Sequence, residues 1–118
     1  MMKQWTPPPL GRRVRLVDPG TQAIVAVVWA HRYDRRTTIQ AEEDIVGVYV
    51  LVTEWTIRKP KDPDFELPVG VEVHEVRGNP DDPDVLASQR YFSLGVQERT
   101  VKGTRGQWLV ITAQKREQ

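Results

Sequence analysis

Nowhere in this chain does an apolar period of 3.6 persist for ten residues. Its hydrophobic side chains come in short runs, many of them alternating, that proline and glycine interrupt. Nine prolines and eight glycines among 118 residues cut the sequence into pieces of strand length. In Arg12–Val17, Val14 and Leu16 share one face and Arg13 and Arg15 the other. Asp18-Pro19-Gly20 then supplies a turn, because proline fixes one dihedral and glycine accepts a left-handed one.

Ala23–Arg32 is apolar on both faces through Ala30. Its Ile24, Val25, Val27 and Val28 crowd a helix but suit a sheet. Such a run fits a strand covered on both sides. The polar and basic stretch from His31 through Arg36 to Asp44 reads as a loop or long hairpin connection between two strands. Val46–Arg58 follows, with Tyr49, Leu51, Trp55 and Ile57 on one face and Val48, Val50 and Val52 on the other. At thirteen residues it exceeds ordinary strand length, which implies a bulge or a projection beyond the domain body. Further strands are expected at Val69–Val76, Gln89–Val96 and Gln107–Gln114. Pro-rich acidic loops at 59–68 and 78–84 and a basic hairpin connection at 98–106 separate them.

The pattern predicts an all-β fold: a small closed or partly closed β-barrel of six to seven strands with long projecting loops. Closure is favoured at this length because it hides the edges that a small open sheet exposes. The expected core is Val14, Leu16, Val27, Trp29, Leu51, Trp55, Ile57, Leu94, Trp108 and Val110. Residues 1–9, with Pro7-Pro8-Pro9, read as an arm, 10–114 as the barrel domain and 115–118 as a charged tail.

Charge is segregated along the chain, although the formal net charge is only +1. Residues 1–61 carry ten basic and six acidic side chains, 62–84 one basic and eight acidic, and 85–118 six basic and two acidic. That argues against a uniformly basic nucleic-acid coat and leaves room for one basic face and one acidic rim. The absence of cysteine excludes a disulfide scaffold, Cys-ligated zinc and a cysteine nucleophile. The longest apolar stretches, Ala23–Ala30 and Ile45–Val52, are far short of the ~20 residues of a membrane helix. No signal-peptide pattern opens the sequence, so a soluble intracellular protein without a membrane partner is expected.

Catalytic patterns are weak. His31 and His74 lie on different strands, and neither has a carboxylate at metal-ligand spacing. Ser88 and Ser93 stand outside any G-x-S-x-G turn, and the acidic loops lack the EF-hand order. Lys102-Gly103-Thr104-Arg105-Gly106 has cations beside glycines but neither the phosphate-loop order nor a following helix. No enzyme activity, cofactor or metal is expected.

Four segments resemble the small head-closure, or head–tail adaptor, proteins of tailed bacteriophages. Leu10-Gly11-Arg12-Arg13-Val14 is similar to that family's opening strand, and Val28-Trp29-Ala30 to its aliphatic-Trp-Ala signature. Trp55-Thr56-Ile57-Arg58 resembles its Thr-Ile-Arg strand. Tyr91–Val96, Arg99 and Trp108–Ala113 resemble the closing hairpin. The likeness spans about residues 10–113 in order, and departs from the family at Lys59–Asp84, where two acidic Pro-rich loops replace a brief turn.

The resemblance implies a homo-oligomeric ring in the virion neck, assembled in the host bacterial cytoplasm. Such a ring docks on portal and adaptor proteins, holds the packaged double-stranded DNA and receives tail proteins. Arg32, Arg35 and Arg36, or alternatively Lys102 and Arg105, are then candidates to line the channel and meet DNA phosphate. Trp5, Arg13, Arg15, Asp62, Asp64, Asp81, Asp82 and Asp84 are candidates for subunit contacts, basic segment against acidic segment. Two rival readings remain: a tail terminator or other neck-ring protein, and a monomeric OB-like single-strand nucleic-acid module. The second needs exposed aromatics among cations, for which Tyr33 and Tyr91 are the candidates.

Overall fold

A computed structural model describes residues 6–39, 48–100 and 107–115. Within them six antiparallel strands close a barrel: β1 (Arg12–Val17), β2 (Ile24–Ile39), β3 (Val48–Arg58), β4 (Glu72–Val76), β5 (Ala87–Thr100) and β6 (Gln107–Lys115). Around the barrel the order is β1-β2-β3-β6-β5-β4, and β4 pairs back onto β1. The all-β barrel expected from strand periodicity is the observed architecture, in its fully closed form.

The alternation set by each strand decides what the barrel holds. Val14 and Leu16 from β1, Ala30 from β2, Trp55 and Ile57 from β3, and Val73 from β4 point inward. Tyr91 from β5 and Leu109, Ile111 and Ala113 from β6 complete the interior with Val71, and Phe65 and Leu67 of the 59–71 connection pack against it. Val14, Leu16, Trp55 and Ile57 lie where the hydrophobic pattern assigns them.

Other assignments change. Trp29, Leu51 and Leu94 are exposed by 54%, 62% and 54% rather than buried. Trp29 has the opposite phase to Ala30 and so lies on the outer wall. Leu51 pairs with Arg36 on a part of β3 that has outrun the barrel. Leu94 falls at a break in the β5–β6 register between Ser93 and Gly95. Val27 and Trp108 are half-buried and stand outside the interior cluster. Val110 is buried, but on the outer phase opposite Thr56.

The stretch His31–Ile39 is strand and not loop. It continues β2 past the end of β1, whose last partner is Ala30, and pairs with Val48–Thr56 of β3. Because β6 joins β3 only from Thr53, residues 35–39 and 48–52 form a two-stranded ribbon projecting from the barrel. The over-long β3 thus projects; register irregularities occur instead at Val25 of β2 and at Ser88 and Leu94 of β5, each skipped in its pairing. Strand β4 is shorter than the sequence suggests, starting at Glu72, and β5 is longer at both ends, taking in residues 98–100 of the expected hairpin connection.

Arg15 shows how the acidic loop 78–85 is used. Its side chain leaves the outer wall of β1 but is only 5% exposed. Nε donates to the Pro80 carbonyl at 2.8 Å, Nη1 to Val85 at 2.7 Å and Nη2 to Asp82 at 2.5 Å. Gly78, at a φ of 119°, lets the chain turn into this loop where a side chain would be strained. Beside Arg15, His74 and Glu72 form a buried pair at 3.0 Å, and Gln22 donates to the other Glu72 oxygen. Burial holds the His74 imidazole below its ordinary value, against the opposing pull of Glu72.

Two outcomes follow from this packing. Arg15→Met removes three charge-assisted bonds, among them the buried one to the Pro80 carbonyl, so urea unfolding should register a loss of about 2–4 kcal/mol. Hydrogen exchange should show residues 78–85 losing protection first. For His74 the folded state prefers the neutral ring, so its contribution is complete above the unfolded value of about 6.5 and is lost as pH falls below it. His74→Gln should flatten that part of the stability–pH curve; an unchanged slope would refute the assignment.

Candidate functional site

The interior phase of the strands becomes polar toward the Arg12 end of the barrel. Continuing Val71 and Val73, the next inward position of β4 is Glu75; continuing Ala30, the next positions of β2 are Arg32 and Asp34. These groups meet. Arg32 Nη1 donates to Glu75 Oε1 at 3.0 Å, and its Nε and Nη2 both reach Asp34 at 3.1 Å. Tyr91 donates its hydroxyl to the same Glu75 oxygen at 2.8 Å, while Arg12 donates to Oε2 at 2.7 Å. Thr53 donates to Asp34 at 2.8 Å.

This network lies on an aromatic floor. The Arg32 guanidinium carbon is 5.6 Å from the centre of the Tyr91 ring and 6.0 Å from that of Trp55. The two rings meet edge-to-face, 5.2 Å apart at 70°. Hydrogen bonding to Asp34 raises the Arg32 guanidinium further above its ordinary range, and the same bond lowers the Asp34 carboxyl. Burial, with the Glu75 hydrogen bond and charge, pushes the Tyr91 phenol up to about 12. Above the network a polar cleft of about 420 Å³ is lined by Arg12, Arg32, Glu75, Arg77, Gln89 and Lys115 among others.

Each carboxylate of this mouth is held by guanidinium groups, and Tyr91 is a neutral donor at ordinary pH. Among the described residues no three His, Cys, Asp or Glu side chains come together as a metal-ion cluster.

The candidate channel and contact residues separate. Arg32 belongs to the mouth. Arg35 stands on the outer face of the ribbon base with Nε on Glu54 at 2.7 Å, and Arg36 is exposed. Lys102, Arg105 and Trp5 lie outside the described residues. Arg13 makes a bidentate pair with Asp81, at 2.6 and 3.0 Å, and its guanidinium lies 5.9 Å from the Trp29 ring centre. Arg15 is buried under its own loop, which removes it from the exposed surface. Asp62 and Asp82 accept the backbone N–H groups of Asp64 and Asp84, an Asx-turn arrangement that shapes each loop. Asp64 and Asp84 are themselves exposed. Tyr91, a candidate stacking aromatic, is instead interior, whereas Tyr33 is exposed.

Glu75 and Arg12 carry the mouth without a motif to mark them. The available signal was phase: Glu75 and Arg12 extend the inward registers of Val73 and Val14. No family model matches the chain, and no curated protein or solved structure matches it either.

Ultraviolet titration checks the mouth directly. One tyrosinate signal should appear only near about 12 and should vanish in Tyr91→Phe. The neutral phenol's contribution to stability is complete below the unfolded value of about 10 and is lost as pH climbs toward the folded value.

Proposed function

We propose that this chain is a non-enzymatic joining protein of a tailed-phage neck, one subunit of a ring that closes the filled head and presents a docking surface to the tail. The observation that carries the reading is the β2–β3 ribbon. A closed barrel has no free edges of its own, yet residues 35–39 and 48–52 project from it as a paired extension with Arg35 at its base and the exposed Arg36 on it. A rigid barrel gives a ring its wall, and a paired ribbon reaches toward a bore without unsatisfied backbone groups along its paired edge. Arginines on such a ribbon attract DNA phosphate without reading sequence.

A second reading draws on a different surface. Trp29 and Tyr33 are both exposed on the outer phase of β2, with Arg13 against Trp29, a row that suits stacking of single-stranded bases.

Cryo-electron microscopy of phage particles containing the chain separates these readings. The joining role requires a ring between portal and tail with the ribbon directed at the bore; absence from the particle would refute it. Duplex DNA should bind the isolated chain weakly, in the range of about 10⁻⁴–10⁻⁶ M typical of non-specific contacts. Arg36→Gln should reduce the logarithmic salt slope by about one. Strong fluorescence quenching by single-stranded oligonucleotides, with no such quenching by duplex, would favour the second reading.

A further inference from the structure

We infer that two unlike surfaces on opposite sides of the barrel join one copy of this chain to the next: the exposed row Val25, Trp29 and Tyr33 of β2 in one copy, and an apolar groove beside β5 in its neighbour. The inference rests on the ring reading and names the contact that would build the ring.

The row comes from the phase of β2. Since Val28 and Ala30 face the interior, Trp29 and Tyr33 stand on the outer wall, 54% and 56% exposed, and Val25, the residue skipped at the β1–β2 register break, is 37% exposed. Alternate residues along a strand are about 6.6 Å apart, so the row runs about 26 Å. Large aromatics so exposed on one face are the usual mark of an association surface.

The groove arises because β4 and β5 part company. β4 follows β5 only to Phe92, and the Ser93 N–H then bonds to the Val71 carbonyl. From Leu94 onward β5 pairs only with β6 among the described residues. The 65–70 segment stands across the gap and leaves a cavity of about 600 Å³ lined by Phe65, Leu67, Val69, Leu94 and Val96, among others. Val69 is 98% exposed, and Leu94 and Val96 are also open to solvent.

Two features favour a second copy as the occupant. In the cyclic strand order β2 and β5 are diametrically opposed, so the row and the groove lie across the barrel from each other and cannot meet within one chain. Two different surfaces so placed make a heterologous contact, the kind that propagates and closes into rings. Charge is compatible as well: in the groove lining Lys59 lies 3.5 Å from Glu98, which leaves Glu66 as the acidic group facing a neighbour. On the row's side, Arg35 gives Nε to Glu54 and has no further partner for its terminal nitrogens among the described residues.

The lack of cysteine makes the test clean. Two single-cysteine proteins, Val25→Cys and Leu94→Cys, are oxidised separately and as a mixture at about 1 mM, where even a millimolar contact is populated to roughly 40%. The mixture should yield mainly the mixed disulfide, and adding Tyr33→Glu to the Val25→Cys protein should suppress it. Each variant's circular dichroism and thermal unfolding should match the parent, which removes misfolding as a cause. Mixed disulfide no more abundant than with a Ser88→Cys control in place of Val25→Cys would overturn the inference, as would preferential like-with-like linkage. Quenching of the row by single-stranded oligonucleotide without mixed disulfide would assign it to nucleic acid. A mixed disulfide from a protein absent from the phage neck would retain this contact and reject the joining role. A neck ring without the mixed disulfide would do the reverse.

Discussion

Three residue pairs between β1 and β4, Arg15 with His74, Leu16 with Val73 and Val17 with Glu72, close this barrel, and the remainder of the structure depends on that seam. It joins two short strands, so its backbone bonds are few. Side chains on both walls reinforce it. Inside, Leu16 and Val73 belong to the fully buried cluster. Outside, Arg15 draws the 78–85 loop down over His74 and Glu72 with three carbonyl bonds. The outer wall at this place is consequently buried too, and that burial favours the neutral form of the histidine there. An acidic, Pro-rich loop that looks solvated in sequence is a structural cover, attached through its carbonyls by Arg15 and through Asp81 by Arg13.

The barrel has chemically different ends. At the Arg12 end the inward registers turn polar, and Glu75 gathers Arg12, Arg32 and the Tyr91 hydroxyl into a network above the Trp55 ring. The group is only partly buried, and both Glu75 oxygens and all three Arg32 nitrogens have partners. At the other end Phe65 and Leu67 cover the interior, and the parting of β4 and β5 leaves apolar surface in the open. The ribbon, the sealed mouth and the groove thus divide the molecule into a projection, a polar end and a sticky side.

Much of the strand framework was legible from alternation alone. β1 and β6 begin where the pattern places them, and Val14, Leu16, Trp55 and Ile57 are interior because their neighbours have the opposite polarity. Where alternation was lost, residue type misled. Trp29 and Leu51 are hydrophobic, but one has the outer phase and the other lies beyond the last covering strand. Leu94 sits at a register break that no local pattern announces. His31–Arg36 is basic enough to pass for a loop, yet β3 pairs with every residue of it, since a ribbon needs ladder partners and not a hydrophobic face. Of the candidate site residues, Arg32 and Arg15 were visible as cations, and Asp34 lies two positions from Arg32, but the remaining partners were hidden because Glu75 and the Pro80, Asp82 and Val85 carbonyls are more than forty positions away in the chain.

By itself, then, the sequence determined an all-β chain with six strand-length segments, punctuated by proline and glycine, and the side chains each strand offers to its two faces. Those properties are local, set by backbone dihedrals and by a two-residue period. Only the tertiary structure decided which face became interior along each part of a strand, which arginine met a carboxylate and which a carbonyl, and where a strand outran its neighbours. These depend on strand order and register, which bring residues 12, 32, 75 and 91 to one mouth. A hydrophobic side chain is buried only where another strand or loop arrives to cover it, and that arrival is a long-range event.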